Sequence, residues 1–174
     1  MSQQVASTAR SRRSRQWSLG WQAALAAYMQ LISWVPLGRW NRQACCPPAL
    51  VALRSNALSV VDVMSLVAFV LPVVVFWYGD RRGWKWAMGI VLAGYAVWLG
   101  LQLVAWWPPY IFGASAHWAR VYARAFAVST NFLPRWSDHL PPDAMHVVLQ
   151  VLLVGALATG YRALRRSAMP NPII

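Results

Sequence analysis

The chain has 174 residues, of which 59% are hydrophobic and only 11% are charged. A soluble domain carries about 25% charged residues, so this composition excludes a globular protein that faces water on all sides. It predicts an integral membrane protein. The formal net charge is +12, but the basic residues lie in small groups between apolar runs, as Lys and Arg do when they flank spanning helices. We therefore expect the bilayer and anionic lipids as partners, and no nucleic acid.

The first 18 residues are polar and basic and contain no acidic residue. They predict a disordered cytoplasmic tail over residues 1–18. A twin-arginine export signal and a transit peptide are the two alternatives. The first is disfavoured because no apolar residues follow Arg12 and Arg13 directly, and the second because the next apolar run has no convincing cleavage site.

Four apolar runs follow and predict an all-α fold, a polytopic membrane bundle over residues 19–166 with a short tail at 167–174. Each run is close to the roughly 20 residues that a helix needs to cross a hydrocarbon core. The predicted spans are about 19–37, 59–78, 86–107 and 144–161. The first is mildly amphipathic because it contains Gln22 and Gln30, so three spans are the alternative.

Prolines and charges predict where the helices end. Pro108 and Pro109 should end the third helix, and the fourth should begin after Pro142 and Asp143, since an acid complements a helix N-terminus. The basic segment at 80–85 predicts a tight turn between antiparallel neighbours. Basic residues are more frequent beside the predicted cytoplasmic ends, which favours both termini inside, although three spans would give the same balance.

The connection between the third and fourth spans predicts an amphipathic helix at about 114–130. Trp118, Tyr122 and Phe126 recur every four residues, and the charged side chains of Arg120 and Arg124 fall on another side. We expect this helix to lie on the membrane surface with its rings toward the lipid. A helix that packs against the protein is the alternative.

A possible divalent-metal site lies just before the fourth span. His139, Asp143 and His146 follow at spacings of four and three, and imidazole with carboxylate binds zinc and similar metals. The alternative is structural, because Asp143 can cap the helix and His146 can lie at the headgroup level. The adjacent Cys45 and Cys46 lack the spacing of a metal or redox pair and predict free thiols.

Asp62 is the one acidic residue within reach of the hydrocarbon. Carboxylates inside a membrane often mark a proton or ion path, so a small transporter is one hypothesis. Ser59 precedes Asp62 by three residues, and this capping-box spacing favours a position in the first helical turn near the interface.

A stripe of small residues predicts a helix-packing surface on the third span. Gly89, Ala93, Ala96 and Gly100 lie on one helical face and would let another helix approach closely. That helix belongs to the same chain, to a second copy in a homo-oligomer or to a membrane-protein partner. Tryptophans gather at both ends of the predicted bundle, as indoles do at membrane interfaces.

The stretch from Trp106 to Leu153 contains WWPPYIFGASAHWARVYARAF, then NFLP, then PPDAMHVVLQVLL. It resembles small uncharacterised multi-pass bacterial inner-membrane proteins, a family without a known activity. The resemblance implies a bacterial inner-membrane location and a distinctive external segment. It directs attention to six residues there: Tyr110, Gly113, Arg120, Pro134, Asp143 and His146.

The sequence contains no hydrolase, phosphate-loop or dinucleotide motif, so we predict no catalytic residue. We expect a non-enzymatic accessory or interaction subunit of a membrane complex. A metal-binding protein or enzyme that uses the His and Asp residues is the first alternative. A transporter that uses Asp62 is the second.

Overall fold

The computed structural model describes residues 2–35, 37–40, 60–126 and 129–167. These residues form five α-helices and a short 3-10 helix at Gly38–Trp40, and no strand lies within them. The all-α prediction is therefore confirmed. The helices are α1 (Ser2–Trp34), α2 (Val60–Arg82), α3 (Lys85–Ile111), α4 (Ala116–Ala125) and α5 (Ala144–Ser167).

The predicted disordered tail at residues 1–18 is corrected by the structure, because α1 begins at Ser2 and continues without a break to Trp34. The reason lies in the local sequence. No proline interrupts residues 2–34, and the first glycine is Gly20. Arg, Gln and Ala have favourable helix propensities, so the basic segment extends the helix instead of ending it.

The tight turn predicted at 80–85 is present. Only Gly83 and Trp84 separate α2 from α3, and Gly83 has a φ of +70°, which glycine adopts without steric cost. The amide of Trp84 donates to the Gly79 carbonyl over 2.7 Å. The two helices are therefore antiparallel neighbours, as the sequence predicts.

Pro108 and Pro109 do not end α3, which corrects the predicted boundary. Both lie inside the helix, which continues to Ile111. A proline removes the hydrogen bond donated by its own nitrogen, but the groups around it can still pair. The amide of Phe112 donates to the Pro108 carbonyl over 2.9 Å and closes the last turn.

The main core lies between α1, α2, α3 and α5. Leu25, Phe76, Met88 and Leu153 are 2% exposed or less, and each comes from a different helix. Gly155 faces α1 so closely that a Cβ atom at this position would overlap the Trp21 ring. Glycine at 155 therefore lets α1 and α5 pack closely at the level of Trp21.

Two of the described helices, α3 and α5, are long and apolar enough to cross a membrane. They carry the third and fourth predicted spans. The other two predicted spans, 19–37 and 59–78, fall on the second half of α1 and on α2. A four-span bundle stays a prediction.

Candidate functional site

Trp106, near the end of α3, is the centre of a second and smaller core. It is 3% exposed. Its ring lies 5.9 Å from Trp118, 6.3 Å from Tyr122 and 4.9 Å from Phe126, measured between centroids. These are the three aromatic residues that the sequence placed on one face of a helix. The segment between α3 and α5 therefore folds around a tryptophan that no sequence motif marks.

The start of α4 is fixed by Ser115 and Gly113. Ser115 is the N-cap of α4, and its hydroxyl accepts from the Trp118 amide over 3.2 Å. Gly113 has a φ of +89°, and a Cβ atom there would lie 2.8 Å from Oδ2 of Asp138. Any other residue at 113 would be strained, so glycine lets the chain turn from α3 into α4.

The aromatic face of α4 packs against the protein, which corrects the expectation that its rings face lipid. Tyr122 is only 2% exposed because Trp106 covers it. Arg120 and Arg124 lie on the opposite, exposed side. Trp106 contacts all three aromatic residues of this face, and Leu140 is buried in the same cluster. The alternative prediction, a helix that packs against the protein, therefore describes α4.

The start of α5 is held by Asp143, as predicted. Its Oδ1 atom accepts from the His146 amide over 2.8 Å, and His146 Nδ1 lies 2.7 Å from the same oxygen. This second contact is an ion pair when His146 is protonated and a hydrogen bond when it is neutral. Asp143 is 1% exposed. Among the described residues, its Oδ2 atom has no hydrogen-bond partner.

We expect Asp143→Ala to destabilise the protein by about 1–2 kcal/mol. The change removes the N-cap of α5, and loss of a capping side chain costs about that much. Thermal unfolding in detergent would measure it. Asp138→Ala is a matched control because Asp138 is an exposed acid in the same segment, and its removal should leave the midpoint within about 1 °C. Equal losses in both variants would contradict the capping role.

The structure brings together two of the three predicted metal ligands. His146 and Asp143 are in contact, and the His146 ring also lies 4.4 Å from the Trp106 ring. His139 is placed elsewhere, with Nδ1 2.7 Å from the Tyr110 carbonyl oxygen. Among the described residues, no group of three His, Cys, Asp or Glu side chains is arranged to hold a metal ion. Cys45 and Cys46 lie outside the described residues.

Hydrogen bonds connect the loop before α5 to the 3-10 helix and to the first residue of α5, and they connect the start of α5 to α1. The amide of Thr130 donates to the Arg39 carbonyl over 3.0 Å, and the amide of Ala144 donates to the Thr130 carbonyl over 2.8 Å. Tyr28 of α1 donates its hydroxyl to the Met145 carbonyl over 2.8 Å. No sequence motif marks these contacts, because carbonyl acceptors carry no residue preference.

Tyr122 links α4 to the same loop through its phenol. The hydroxyl donates to Asn131 Oδ1 over 2.9 Å. Burial raises the pKa of Tyr122, and the Asp143 carboxylate raises it further, while Arg135 acts in the opposite direction. The phenol therefore keeps its proton at neutral pH and remains a hydrogen-bond donor.

The remaining predicted residues lie apart from this segment. Asp62 is in the first turn of α2, and its side chain lies outside the described residues, so the transport hypothesis stays a prediction. On α3, no atom lies within 4 Å of a Cβ built at Gly89 or Gly100. Ala93 and Ala96 are exposed. The small-residue stripe is thus turned away from the described helices.

Large apolar and basic side chains lie on the outer surface of the chain between α3 and α5. Phe112 is 82% exposed, Trp136 is 59% exposed and Phe132 is 54% exposed. Trp136 stacks on Tyr110 with ring centroids 6.3 Å apart and an interplanar angle of 3°. Arg120, Arg124 and Arg135 are exposed in the same region, as is Pro134.

Comparison of the chain with protein-family models, with curated proteins and with solved structures gives no match. The resemblance drawn from Trp106 to Leu153 therefore stays a prediction.

Proposed function

We propose that this chain is a non-enzymatic interaction subunit of a bacterial inner-membrane complex, with four spans and both termini in the cytoplasm. The exposed apolar side chains of α3 support membrane embedding. Ile90, Val97, Leu101 and Val104 are between 63% and 71% exposed. A soluble protein rarely leaves so large a contiguous apolar surface uncovered. A hydrocarbon environment would cover it.

The observation that carries the interaction role is the construction of the external segment, defined as residues 112–143. This segment packs around Trp106 of α3 and is fixed by hydrogen bonds to its neighbours. Its outer side nevertheless exposes Phe112 and Trp136 together with arginines. Aromatic residues and Arg are enriched at protein interfaces and supply much of the binding energy. A rigid segment with these side chains on its outside suits a protein partner.

The small-residue stripe supports a partner that is itself a membrane protein. Core residues of α3 such as Met88 and Leu92 point toward α2 and α5, whereas Gly89 and Gly100 have open space beside them. Small residues gain little from lipid contact but allow two helix backbones to approach closely. A partner with its own spanning helix would contact both the stripe and the external segment.

The test is cross-linking in native membranes followed by purification in a mild detergent. We expect the double variant Phe112→Ala/Trp136→Ala to recover at least tenfold less of the cross-linked partner, since each truncated interface aromatic costs about 1 kcal/mol or more. Leu71→Ala is the control, because this side chain is 51% exposed but lies on α2, outside both the external segment and the small-residue stripe.

Selective loss of one partner in the double variant, with its recovery unchanged in the control, would support the proposal. A chain that stays alone under every gentle extraction would overturn it. Equal losses in both variants would do the same. Recovery of lipid alone would show that the external segment contacts headgroups and not a protein.

A further inference from the structure

A cleft of about 390 Å³ opens between α1 and α5, at the end of the bundle opposite the external segment. From α1, Arg13, Trp17 and Trp21 line it. From α5, the lining includes Thr159, Arg162 and Arg166. The contact of Gly155 with Trp21 brings the two helices together at one end of this cleft. Three arginines and two indoles thus surround one concave surface.

The charge around the cleft is strongly unbalanced. Asp80 is the only acidic residue at this end of the described chain, and its Oδ1 atom lies 3.2 Å from Nε of Arg15. Asp138 and Asp143 are at the other end of the bundle. Arg13 and Arg162 make no ion pair within the described ranges. The charge at Arg13 and Arg162 therefore makes the cleft attractive to an anion.

The other arginines at this end are placed differently, which separates the cleft from a general basic surface. Arg81 lies over the Trp77 ring at 4.2 Å, Arg82 over Tyr78 at 5.3 Å and Arg165 over Tyr161 at 5.1 Å. Each of these guanidinium groups stacks on a ring of its own helix. The arginines of the cleft instead line a cavity large enough for a small ligand.

The side chains that line the cleft favour an amphipathic ligand, because they are both charged and apolar. Trp17 is 59% exposed and presents an apolar ring beside the charged groups. The Thr159 hydroxyl donates to the Gly155 carbonyl over 2.6 Å, so its proton is already used. The charged donors for a ligand are the guanidinium groups. A guanidinium group can donate to two phosphate oxygens at once. An indole ring can cover the glycerol or acyl carbons of a lipid.

We infer that this cleft binds the phosphate group of an anionic phospholipid from the cytoplasmic leaflet. Basic pockets between helices on that side of a membrane select such headgroups. The inference rests on the membrane embedding and orientation proposed above, but it does not depend on a protein partner. Arg13 and Arg162 hold the phosphate between α1 and α5, and the exposed indole of Trp17 lies against the lipid.

The experiment is native mass spectrometry of the full chain in a non-ionic detergent, titrated with phosphatidylglycerol or with phosphatidylcholine. We expect phosphatidylglycerol to bind about tenfold more tightly than phosphatidylcholine, a difference of about 1.4 kcal/mol. Arg13→Gln/Arg162→Gln should remove most of this preference, and Arg13→Lys/Arg162→Lys should restore part of it. The control is Arg81→Gln/Arg82→Gln, which removes the same charge at the same end and should change the affinity less than about twofold.

Three results would overturn the inference: equal affinity for both lipids, equal losses in the two glutamine pairs, or full displacement of lipid by equimolar inorganic phosphate. The last result would assign the cleft to free phosphate. Circular dichroism of each variant separates a lost site from a lost fold. The variant Phe112→Ala/Trp136→Ala should bind phosphatidylglycerol normally, so failure of this inference can be distinguished from failure of the proposed interaction role.

Discussion

Replacing Gly155 by leucine is expected to force α1 away from α5 and to lower the free energy of unfolding by about 3 kcal/mol, the upper part of the usual range for overpacking. A single Cβ atom at this position already overlaps the Trp21 ring. An indole is rigid and half-buried here, so it cannot move aside as a flexible side chain would. The helices must separate along their common surface.

Gly94→Leu is the matched control, because no atom lies within 4 Å of a Cβ at Gly94 and both glycines are inside helices. Leucine has the better helix propensity by somewhat less than 1 kcal/mol, so this variant should be neutral or slightly more stable. Thermal unfolding in detergent, followed by the loss of the monodisperse peak on size-exclusion chromatography, measures both variants. A similar loss in Gly94→Leu would contradict the close approach of α1 and α5.

The second large effect is expected for Trp106→Ala. This change should lower the stability of the packing around α4 by about 3–5 kcal/mol, as truncation of a buried Trp usually does. Trp106 is the common neighbour of Trp118, Tyr122 and Phe126. Without it, the apolar face of α4 loses the one ring that contacts all three of these aromatic residues. A ten-residue helix is marginal in isolation, so α4 should unfold locally while the main core persists.

Limited trypsin digestion reports on this local unfolding, since Arg120 and Arg124 lie within α4. Cleavage at these two residues should become at least tenfold faster in Trp106→Ala. The control is Trp86→Ala, because Trp86 is 65% exposed at the other end of α3, and its digestion should match that of the unchanged chain. If α4 stays protected in Trp106→Ala, Trp106 is not what holds this helix.

The sequence predicts the helices well because their signals are local. Apolar runs with the right length, the glycine of the turn at 80–85 and the acid before α5 each depend on neighbouring residues alone. The two errors at helix ends have the same origin. A basic segment without prolines continues a helix as readily as it forms a tail, and two prolines in a last turn do not end a helix when Phe112 can still donate to Pro108.

The candidate site was harder to predict because tertiary contacts decide it. The spacing of Trp118, Tyr122 and Phe126 shows an apolar face but not whether lipid or Trp106 covers it. Spacing also grouped His139 with Asp143 and His146, yet only the last two meet, because Tyr110 binds His139 through a backbone carbonyl. The arginine cleft joins residues of α1 and α5 that are about 150 positions apart, a separation at which a single sequence offers no pattern.

The length of α1 has a geometric consequence. Its 33 residues form a rod of about 50 Å, longer than the roughly 30 Å of a hydrocarbon core. Arg15, near the middle of the helix, pairs with Asp80 at the end of α2, and Tyr28, in its second half, contacts the start of α5. About 20 Å of helix precedes Arg15. In a membrane placed as proposed above, these first turns of α1 would extend beyond the headgroups on the side of the turn between α2 and α3.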